Sequence, residues 1–426
     1  MIIAAREEEE DLEDEETMMA LVTAAIIGGT EVSREIRVER RHNNRLYLCR
    51  SQLLPNPRIN TPWQILYDSQ NDRAFITTMG FDVETFGYIL SSGFAANWYT
   101  TAIPRPDTNR VGDPRPGRRS LDAAGALGLV LHYLNSTMRE TSLQQIFAII
   151  PSTVSRYITF GLRILLATLK MIPEAKICWP QPEDFEELSD LVVQRHPRLD
   201  GAFGSIDGLK LPVQTSNDDE IENATFNGWL SEHFISSVIV FSSQGVIIAA
   251  RTNALGSWHD SCVAQGIYLS LCTKTPGHYY LVADTAFPQG TADIKGHIRA
   301  PLKSGQRVRG TPEQMDEAMA FNRELLSYRQ TAEWGMRAIQ GLFGRLRLPL
   351  DCDDDDSRGD LLEICLRLHN LRTVKVGINQ IRTVYMKHWQ ETDEDIELWT
   401  RFEEMLFSEQ RKKDRVAHFH VVLEYE

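Results

Sequence analysis

A carboxylate interrupts a stretch that otherwise has the pattern of a buried β-strand. The stretch is GAFGSIDGLKLPV, residues 201–213, and Asp207 lies in its middle. Strict alternation places Asp207 on one face with Phe203, Leu209, Leu211 and Val213, and Ala202, Gly204 and Ile206 on the other. Because neither face is clearly polar, a charge here is unfavourable unless a metal ion, a cation or a catalytic role accounts for it.

Three more acidic residues could join Asp207. Asp284 ends the apolar run YYLVA, Asp260 stands in GSWHDS before a helical segment, and Glu333 lies within a later helical segment. Groups at the carboxyl ends of strands line the functional crevice of an α/β sheet, so neighbouring strands could bring Asp207 and Asp284 together. Oxygen ligands from two strands and a helix suit a two-magnesium site for phosphoryl transfer.

Each of these residues also has an ordinary interpretation. A single aspartate at the end of a strand is often a turn cap or a salt-bridge partner. Glu333 has Arg329 and Arg337 four residues before and after it, a spacing that suits surface ion pairs on a helix. The hypothesis therefore depends on the set of residues and on their order along the chain.

The segments that must position these residues alternate between strands and helices. After residue 200 the order is strand, hairpin, helix, strand and further helices, which predicts a mixed α/β fold with one central sheet. We expect an irregular acidic and basic segment at 1–60, a helical region at 61–175, a linker at 176–199, the α/β domain at 200–390, and a helical or tail segment at 391–426.

The helical region ends in three segments, at 121–170, that predict a helix-turn-helix arrangement. In this interpretation the third helix has Ser152 as its N-cap and buries one apolar stripe. The polar residues at the start of this recognition helix would contact DNA: Ser152, Thr153, Ser155 and Arg156. A plain helical bundle is the alternative.

Composition is that of a globular protein, with 42% hydrophobic and 24% charged residues among 426. The net charge is −14, of which residues 6–16 contribute −8, so DNA affinity would have to come from local basic patches. Such patches occur at 34–50, 105–119 and 410–415. The acidic runs at 7–16 and 351–356 are typical of solvated tails or loops.

Nothing in the sequence predicts a secreted or membrane protein. The start is acidic where a signal peptide needs a basic region, and no apolar run reaches the roughly 18 residues of a membrane span. The six cysteines form no CxxC pair and have no metal-ligand spacing, which indicates incidental thiols in a reducing compartment.

The order of the acidic residues and the short motifs around them resemble those of the PIF/Harbinger transposases and the host nucleases derived from them. The resemblance spans about 200–375 and is carried by five patches: Ile206-Asp207-Gly208, Gly256 to Ser261 (GSWHDS), Ala283 to Pro288 (ADTAFP), Arg329 to Arg347 with Glu333, and Leu368-His369-Asn370. The helical trio matches the family's usual N-terminal region. Leu209-Lys210 and Thr285-Ala286-Phe287 depart from the family's frequent Thr-His and Ser-Gly-Tyr, but neither departure removes an acidic residue.

The resemblance implies a ribonuclease-H-like fold whose DDE triad is Asp207, Asp284 and Glu333, holding Mg²⁺ or Mn²⁺, with two ions expected. Asp260 is a fourth metal-ligand candidate, ranked lower because it precedes a helix. We interpret His259 as a structural neighbour and Leu368-His369-Asn370 as packing. Lys210, Arg329 and Arg337 are the expected contacts to DNA phosphates.

The leading hypothesis is a metal-dependent DNA endonuclease or transposase that cleaves phosphodiester bonds at transposon ends in the nucleus. The resemblance adds a Myb/SANT-like DNA-binding protein and a second copy of the chain as candidate partners. The alternative is a domesticated DNA- or protein-binding factor that keeps the fold without chemistry. An aspartate-nucleophile phosphatase is disfavoured because it needs a second aspartate at position 209, which is leucine.

Overall fold

The structure, a computed structural model, describes residues 2–44, 47–104, 112–228, 230–287, 294, 296–303, 305–386 and 422–425. Of these, the side chains of residues 2–17, 42, 43, 307 and 422–425 are not described. Part of the predicted basic patch 105–119, all of 410–415 and most of the predicted segment 391–426 lie outside the described residues.

The chain begins with one long helix where the sequence had predicted an irregular segment. Helix α1 (Ile2–Asn43) has 42 residues, and every side chain from Met18 to Arg41 is exposed. The prediction was wrong because Glu, Ala and Arg, which dominate this segment, all have high helix propensity. The acidic run is therefore the first part of a helix and not a coil.

A helical region follows, built around buried aromatic rings. Glycine allows the close packing of Trp63 on the sixth helix, since a Cβ atom at Gly128 would lie only 2.2 Å from the Trp63 ring. The helices are α2 (Pro62–Asp68), α3 (Asp72–Met79), α4 (Val83–Ile89), α5 (Ala95–Thr100), α6 (Ala123–Asn135), α7 (Glu140–Phe147) and α8 (Pro151–Met171).

Helices α7 and α8 are joined by residues 148–150, with Ala148 in the left-handed region at φ 51°. Helix α8 begins at Pro151, and its N-cap is Ile150, so the predicted cap at Ser152 is wrong. Proline is favoured at the first helical position because its ring already holds φ near the helical value. Of the four residues predicted to contact DNA, Ser152 and Ser155 are exposed, whereas Thr153 and Arg156 are half-buried.

The region after residue 200 contains a six-stranded mixed sheet. Strand β3 pairs antiparallel with β1 and β4, while β5 pairs parallel with both β1 and β6, so β1 separates an antiparallel half from a parallel half. The predicted hairpin is β3–β4. The strands are β1 (Ala202–Pro212), β2 (Phe226–Asn227), β3 (Glu232–Ser242), β4 (Ile247–Leu255), β5 (Tyr280–Ala283) and β6 (Ile298–Arg299).

The two faces of β1 pack into different hydrophobic clusters. Leu209 and Leu211 pack into the larger cluster, which also contains residues of the helical region, while Ile206 packs into a smaller cluster on the other face. Phe203 packs with Ile206 and not on the Asp207 face as strict alternation had predicted. The register of β1 shifts between Ala202 and Gly204, and this irregularity accounts for the change of face.

Further helices surround the sheet: α9 (Asp184–Val193), α10 (Asp219–Thr225), α11 (Asp260–Val263), α12 (Gln265–Lys274), α13 (Pro312–Leu342), α14 (Asp355–Lys375) and α15 (Gln380–Tyr385). The predicted linker 176–199 is therefore wrong, because it contains α9. Phe185 of α9 is fully buried, and the Ser189 hydroxyl accepts the Gly201 N–H at 2.9 Å, so α9 covers the start of β1.

Two short strands pair in parallel outside this sheet, β7 (Arg307–Gly310) and β8 (Val422–Tyr425). The end of the predicted C-terminal helical or tail segment is thus a strand. Among the described residues, no helix combines the length and the apolar character that crossing a membrane requires.

Candidate functional site

Two aspartates lie side by side where β5 ends against β1. The parallel register pairs Ser205 with Val282 and Ile206 with Ala283, so Asp207 and Asp284 are the next residues on the two strands. Each carboxylate also accepts the amide N–H of its own following residue, at 2.8 Å from Gly208 and at 2.6 Å from Thr285. This shared local geometry orients both side chains where β5 ends beside the middle of β1.

Glu333 reaches the same place because α13 packs across the face of β1 that carries Asp207. The Ser205 and Thr331 hydroxyl oxygens lie 2.6 Å apart, and both residues are buried. Gly335 allows this approach, since a Cβ atom there would lie 2.5 Å from the Phe241 ring. Asp207 lies two residues beyond Ser205 on the same face of the strand, whereas Glu333, two residues beyond Thr331, lies about 200° further around the helix and is half-buried.

Asp260 lies against β1 beside Asp207. It begins α11, and a Cβ atom at Gly208 would lie 2.5 Å from its carboxylate oxygen Oδ2. Only a glycine after Asp207 leaves room for this carboxylate in its present position. The structure thus gives Gly208 a role that the sequence did not reveal.

The electrostatics of the four carboxylates show that they act on one another. The pKa of Asp207 is raised to about 6, mainly by burial; the Gly208 N–H and Arg329 act to lower it, and the charges of Asp284 and Glu333 act to raise it. Burial is also the main cause of the raised pKa of Asp260, where Lys210 and His259 oppose the effect and Asp284 adds to it. Asp284 is therefore close enough to influence both Asp207 and Asp260.

The predicted cationic residues occupy different environments. Arg329 donates to Glu333 Oε1 at 2.9 Å. The two residues thus form the helix ion pair that their four-residue spacing had suggested as the ordinary interpretation. Arg337 and Lys210 are exposed, and the Lys210 ammonium lies 4.9 Å from the centre of the Phe234 ring. Arg329 thus belongs to the carboxylate cluster, while Lys210 and Arg337 face solvent.

The carboxylate cluster has the donor chemistry that Mg²⁺ or Mn²⁺ requires. Its oxygens are hard ligands, they are partly withdrawn from water, and their mutual repulsion would be relieved by a cation. A different group of described residues has potential ligand atoms that all lie within 4.8 Å of one another. This second group consists of Asp351, Cys352 and Asp353. Asp351 and Asp353 are exposed, and Asp353 accepts the Ser216 hydroxyl at 2.6 Å, so this group is an exposed surface cluster in which one carboxylate already has a protein partner.

A tight turn next to Asp260 presents an aromatic ring that sequence reasoning missed. Trp258 is 52% exposed, although the turn is fixed by a bond from its N–H to the Leu255 carbonyl at 3.0 Å. Gly256 in the same turn packs against the chain, since a Cβ atom there would lie 2.1 Å from the Phe234 carbonyl oxygen. A large exposed ring on a fixed turn is an unusual surface feature. The tryptophan in the motif GSWHDS was the sequence signal that could have indicated it.

His259 and the late LHN patch have structural roles, in agreement with their interpretation from sequence. His259 is the N-cap of α11, where its Nδ1 accepts the Ser261 N–H at 3.3 Å. Asn370 is buried and forms hydrogen bonds with both the N–H and the carbonyl of Ile247, at 2.7 and 2.9 Å, and so ties α14 to β4. His369 is buried beside it against the Gly245 carbonyl.

Comparison with known proteins gives one positive finding. No curated protein matches the chain, and no solved structure matches it. Residues 206–370, which contain all four carboxylates of the site, match the family described as DDE superfamily endonuclease, so this part of the chain is similar to the nucleases of that superfamily.

Proposed function

We propose that this protein is a divalent-metal-dependent DNA endonuclease or transposase of the PIF/Harbinger type, with Asp207, Asp284 and Glu333 as its DDE triad. The observation that carries the proposal is the position of Asp207. It stands beside Asp284 at the end of β5, and both Asp284 and Glu333 raise its pKa. The family match over 206–370 supports the same reaction class.

The order of the sheet supports the ribonuclease-H-like interpretation of the fold. Strands β4, β3 and β1 are antiparallel neighbours, and β5 and β6 continue the sheet in parallel from β1. Because β5 is short, its carboxyl end lies beside the middle of β1 and brings Asp284 next to Asp207. The carboxyl ends of strands are where open α/β sheets bind their ligands. The N-terminal helices α6, α7 and α8 are the proposed helix-turn-helix unit.

Each residue of the site has a proposed role in phosphodiester cleavage. Asp207 and Asp284 would hold the ions, with Glu333 and Asp260 as further ligands. When bound, two divalent ions activate the attacking water or 3′-hydroxyl and stabilise the leaving oxygen. Glu333 is paired with Arg329 in this structure, and a DNA phosphate would compete for Arg329 and leave the carboxylate free to ligate.

The DNA backbone would be neutralised by Arg329, Lys210 and Arg337, while Ser152, Thr153, Ser155 and Arg156 would contact it from α8. Trp258 would stack on a base near the cleaved bond, since exposed aromatic rings bind unpaired bases without sequence preference. We also propose a nuclear location and a Myb/SANT-like DNA-binding partner, because the chain is acidic overall and its substrate would be chromosomal DNA.

The test is nicking of supercoiled plasmid DNA in the presence of Mg²⁺ or Mn²⁺ and in EDTA. We expect metal-dependent nicking by the wild type, and a loss of at least about 100-fold in Asp207→Asn, Asp284→Asn and Glu333→Gln. Two matched controls should retain full activity: Glu313→Gln, an exposed residue of the same helix as Glu333, and Asp351→Asn in the other acidic group.

Equal nicking by the wild type and all three triad variants would reject the proposed site. DNA binding without nicking by the purified chain, with or without metal, would favour the alternative of a binding factor that has lost its chemistry. Loss of nicking in Asp351→Asn alone would move the metal site to the 351–353 group.

A further inference from the structure

Helix α1 exposes an apolar seam along its described part. The seam residues follow one another at alternating spacings of four and three: Met18, Val22, Ala25, Gly29, Val32 and Ile36. The four large side chains among them are 64%, 52%, 55% and 46% exposed, in chain order. Such spacing is that of the contact positions in a helix pair, and a seam of this length left in water is unfavourable.

The spacing of the seam reads the same in both directions. With Ile27 as the centre, Met18 mirrors Ile36, Val22 mirrors Val32, and Ala25 mirrors Gly29. An antiparallel partner with the same sequence would therefore meet apolar residues with apolar residues at every step. The smallest residues would lie nearest the centre, where two helix backbones can approach closely.

Charge is distributed so that it favours the same arrangement. In the sequence, residues 7–16 include nine acidic residues, while residues 34–45 contain five arginines and two glutamates. In the antiparallel pair centred on Ile27, residues 34–45 of one copy run alongside residues 9–20 of the other, so the basic segment lies next to most of the acidic segment. A parallel pair would place the acidic segments of both chains against each other, which like-charge repulsion disfavours.

We propose that α1 is a dimerisation element that pairs antiparallel with α1 of a second copy of this chain, about a two-fold axis that passes between Ala25 and Gly29 on the seam side of the helix. Self-pairing covers the seam and neutralises the acidic segment with no other partner. DNA as the occupant of α1 is disfavoured, because the acidic half of the helix would repel it. This inference is independent of the metal site and of the proposed catalysis.

The experiment measures the mass of the full-length chain by light scattering or analytical ultracentrifugation. We expect a dimer for the wild type, and a dissociation constant at least about tenfold higher for Val22→Asp. Ile27→Asp is the matched control, since Ile27 is 56% exposed on the opposite side of the same helix, and it should leave the dimer intact. The melting temperature of the remaining fold should not change in either variant.

A charge exchange tests the direction of the pairing. Arg40→Glu/Arg41→Glu and Glu13→Arg/Asp14→Arg should each weaken the homodimer, and an equimolar mixture of the two should form heterodimers. Heterodimers are expected because the unchanged acidic segment of the first variant then lies alongside the unchanged basic segment of the second. A monomeric wild type at 50 mM salt and about 50 μM protein, a Val22→Asp dimer as tight as the wild type, or no heterodimer in the mixture would each overturn the proposal.

Discussion

The hydroxyl groups of Ser205 and Thr331 lie 2.6 Å apart in the buried layer between β1 and α13. Thr331 Oγ1 also donates to the Tyr328 carbonyl at 2.7 Å, so the shared hydrogen must come from Ser205. Two residues beyond this contact stand Asp207 and Glu333. This buried hydrogen bond therefore joins the helix that carries Glu333 to the strand that carries Asp207, while Arg329 holds the Glu333 carboxylate itself.

Because Ser205 is the donor and Thr331 the acceptor, removing one hydroxyl or the other should lower the free energy of unfolding by different amounts. Thr331→Val leaves the Ser205 hydroxyl as a buried donor without a partner and should cost roughly 1–3 kcal/mol of unfolding free energy. Ser205→Ala removes the donor itself and should cost less, and the double variant should cost less than the sum. Urea unfolding of the three variants measures this, and strictly additive losses would contradict a direct bond.

The pKa of Asp207 predicts that metal binding weakens in acid. A carboxyl group with a pKa of about 6 is mostly ionised at pH 7 and mostly protonated at pH 5, so a proton competes with the metal at the lower pH. We expect Mn²⁺ to bind about tenfold more weakly at pH 5 than at pH 7, measured by calorimetry. In Asp207→Asn the residual affinity should change less over this range, and an equal change in the variant would assign the proton to another group.

Gly208 should be intolerant of a side chain. Gly208→Ala would force the Asp260 carboxylate away from β1, because a Cβ atom lies 2.5 Å from its Oδ2. We expect plasmid nicking to fall at least about tenfold, with Mn²⁺ affinity falling in parallel. Gly277→Ala is the control, since no atom lies within 4 Å of a Cβ atom there. Wild-type nicking and metal affinity in Gly208→Ala would remove Asp260 from the site.

Trp258 should contribute to the binding of unpaired DNA. Base stacking on an aromatic ring is worth roughly 1–3 kcal/mol, so Trp258→Ala should weaken binding of a single-stranded oligonucleotide by about 5- to 160-fold. Trp258→Phe should keep most of the affinity, and Leu269→Ala, at an apolar residue that is 65% exposed on α12, should have no effect. Fluorescence anisotropy gives the affinities, and equal binding by the wild type and Trp258→Ala would exclude stacking.

His369 should make the fold sensitive to acid. Burial lowers the pKa of His369 to about 4, below the ordinary value of 6.5, although its bond to the Gly245 carbonyl acts the other way. Because the unfolded chain takes up the proton first, the stabilisation is fully present above pH 6.5 and is lost as pH falls to about 4. The loss should be roughly 3 kcal/mol between these limits.

The measurement for His369 is the unfolding free energy at pH 7.5, 5.5 and 4.5. His369→Gln keeps an N–H donor toward Gly245 and should flatten the pH dependence, whereas His278→Gln, at an exposed histidine, should leave it unchanged. A wild-type slope that persists in His369→Gln would place the sensitive group elsewhere.

Local sequence determined the kinds of element and the residues that could do chemistry. Alternating apolar residues with an embedded aspartate gave β1, and an apolar run ending in Asp284 gave β5. Hairpin and helix signals were equally local, as with β3 and β4. These features were predictable because backbone preferences and side-chain periodicity act over a few neighbouring residues.

Tertiary structure alone decided how those residues meet. The parallel register places Asp284 beside Asp207, a buried hydroxyl pair joins the helix of Glu333 to β1, and the missing side chain of Gly208 admits Asp260. It also showed that α9 covers the sheet where a linker was predicted, and that α1 is one long exposed helix. Such contacts join residues up to about 130 positions apart, and no local pattern encodes which distant surfaces will pack together.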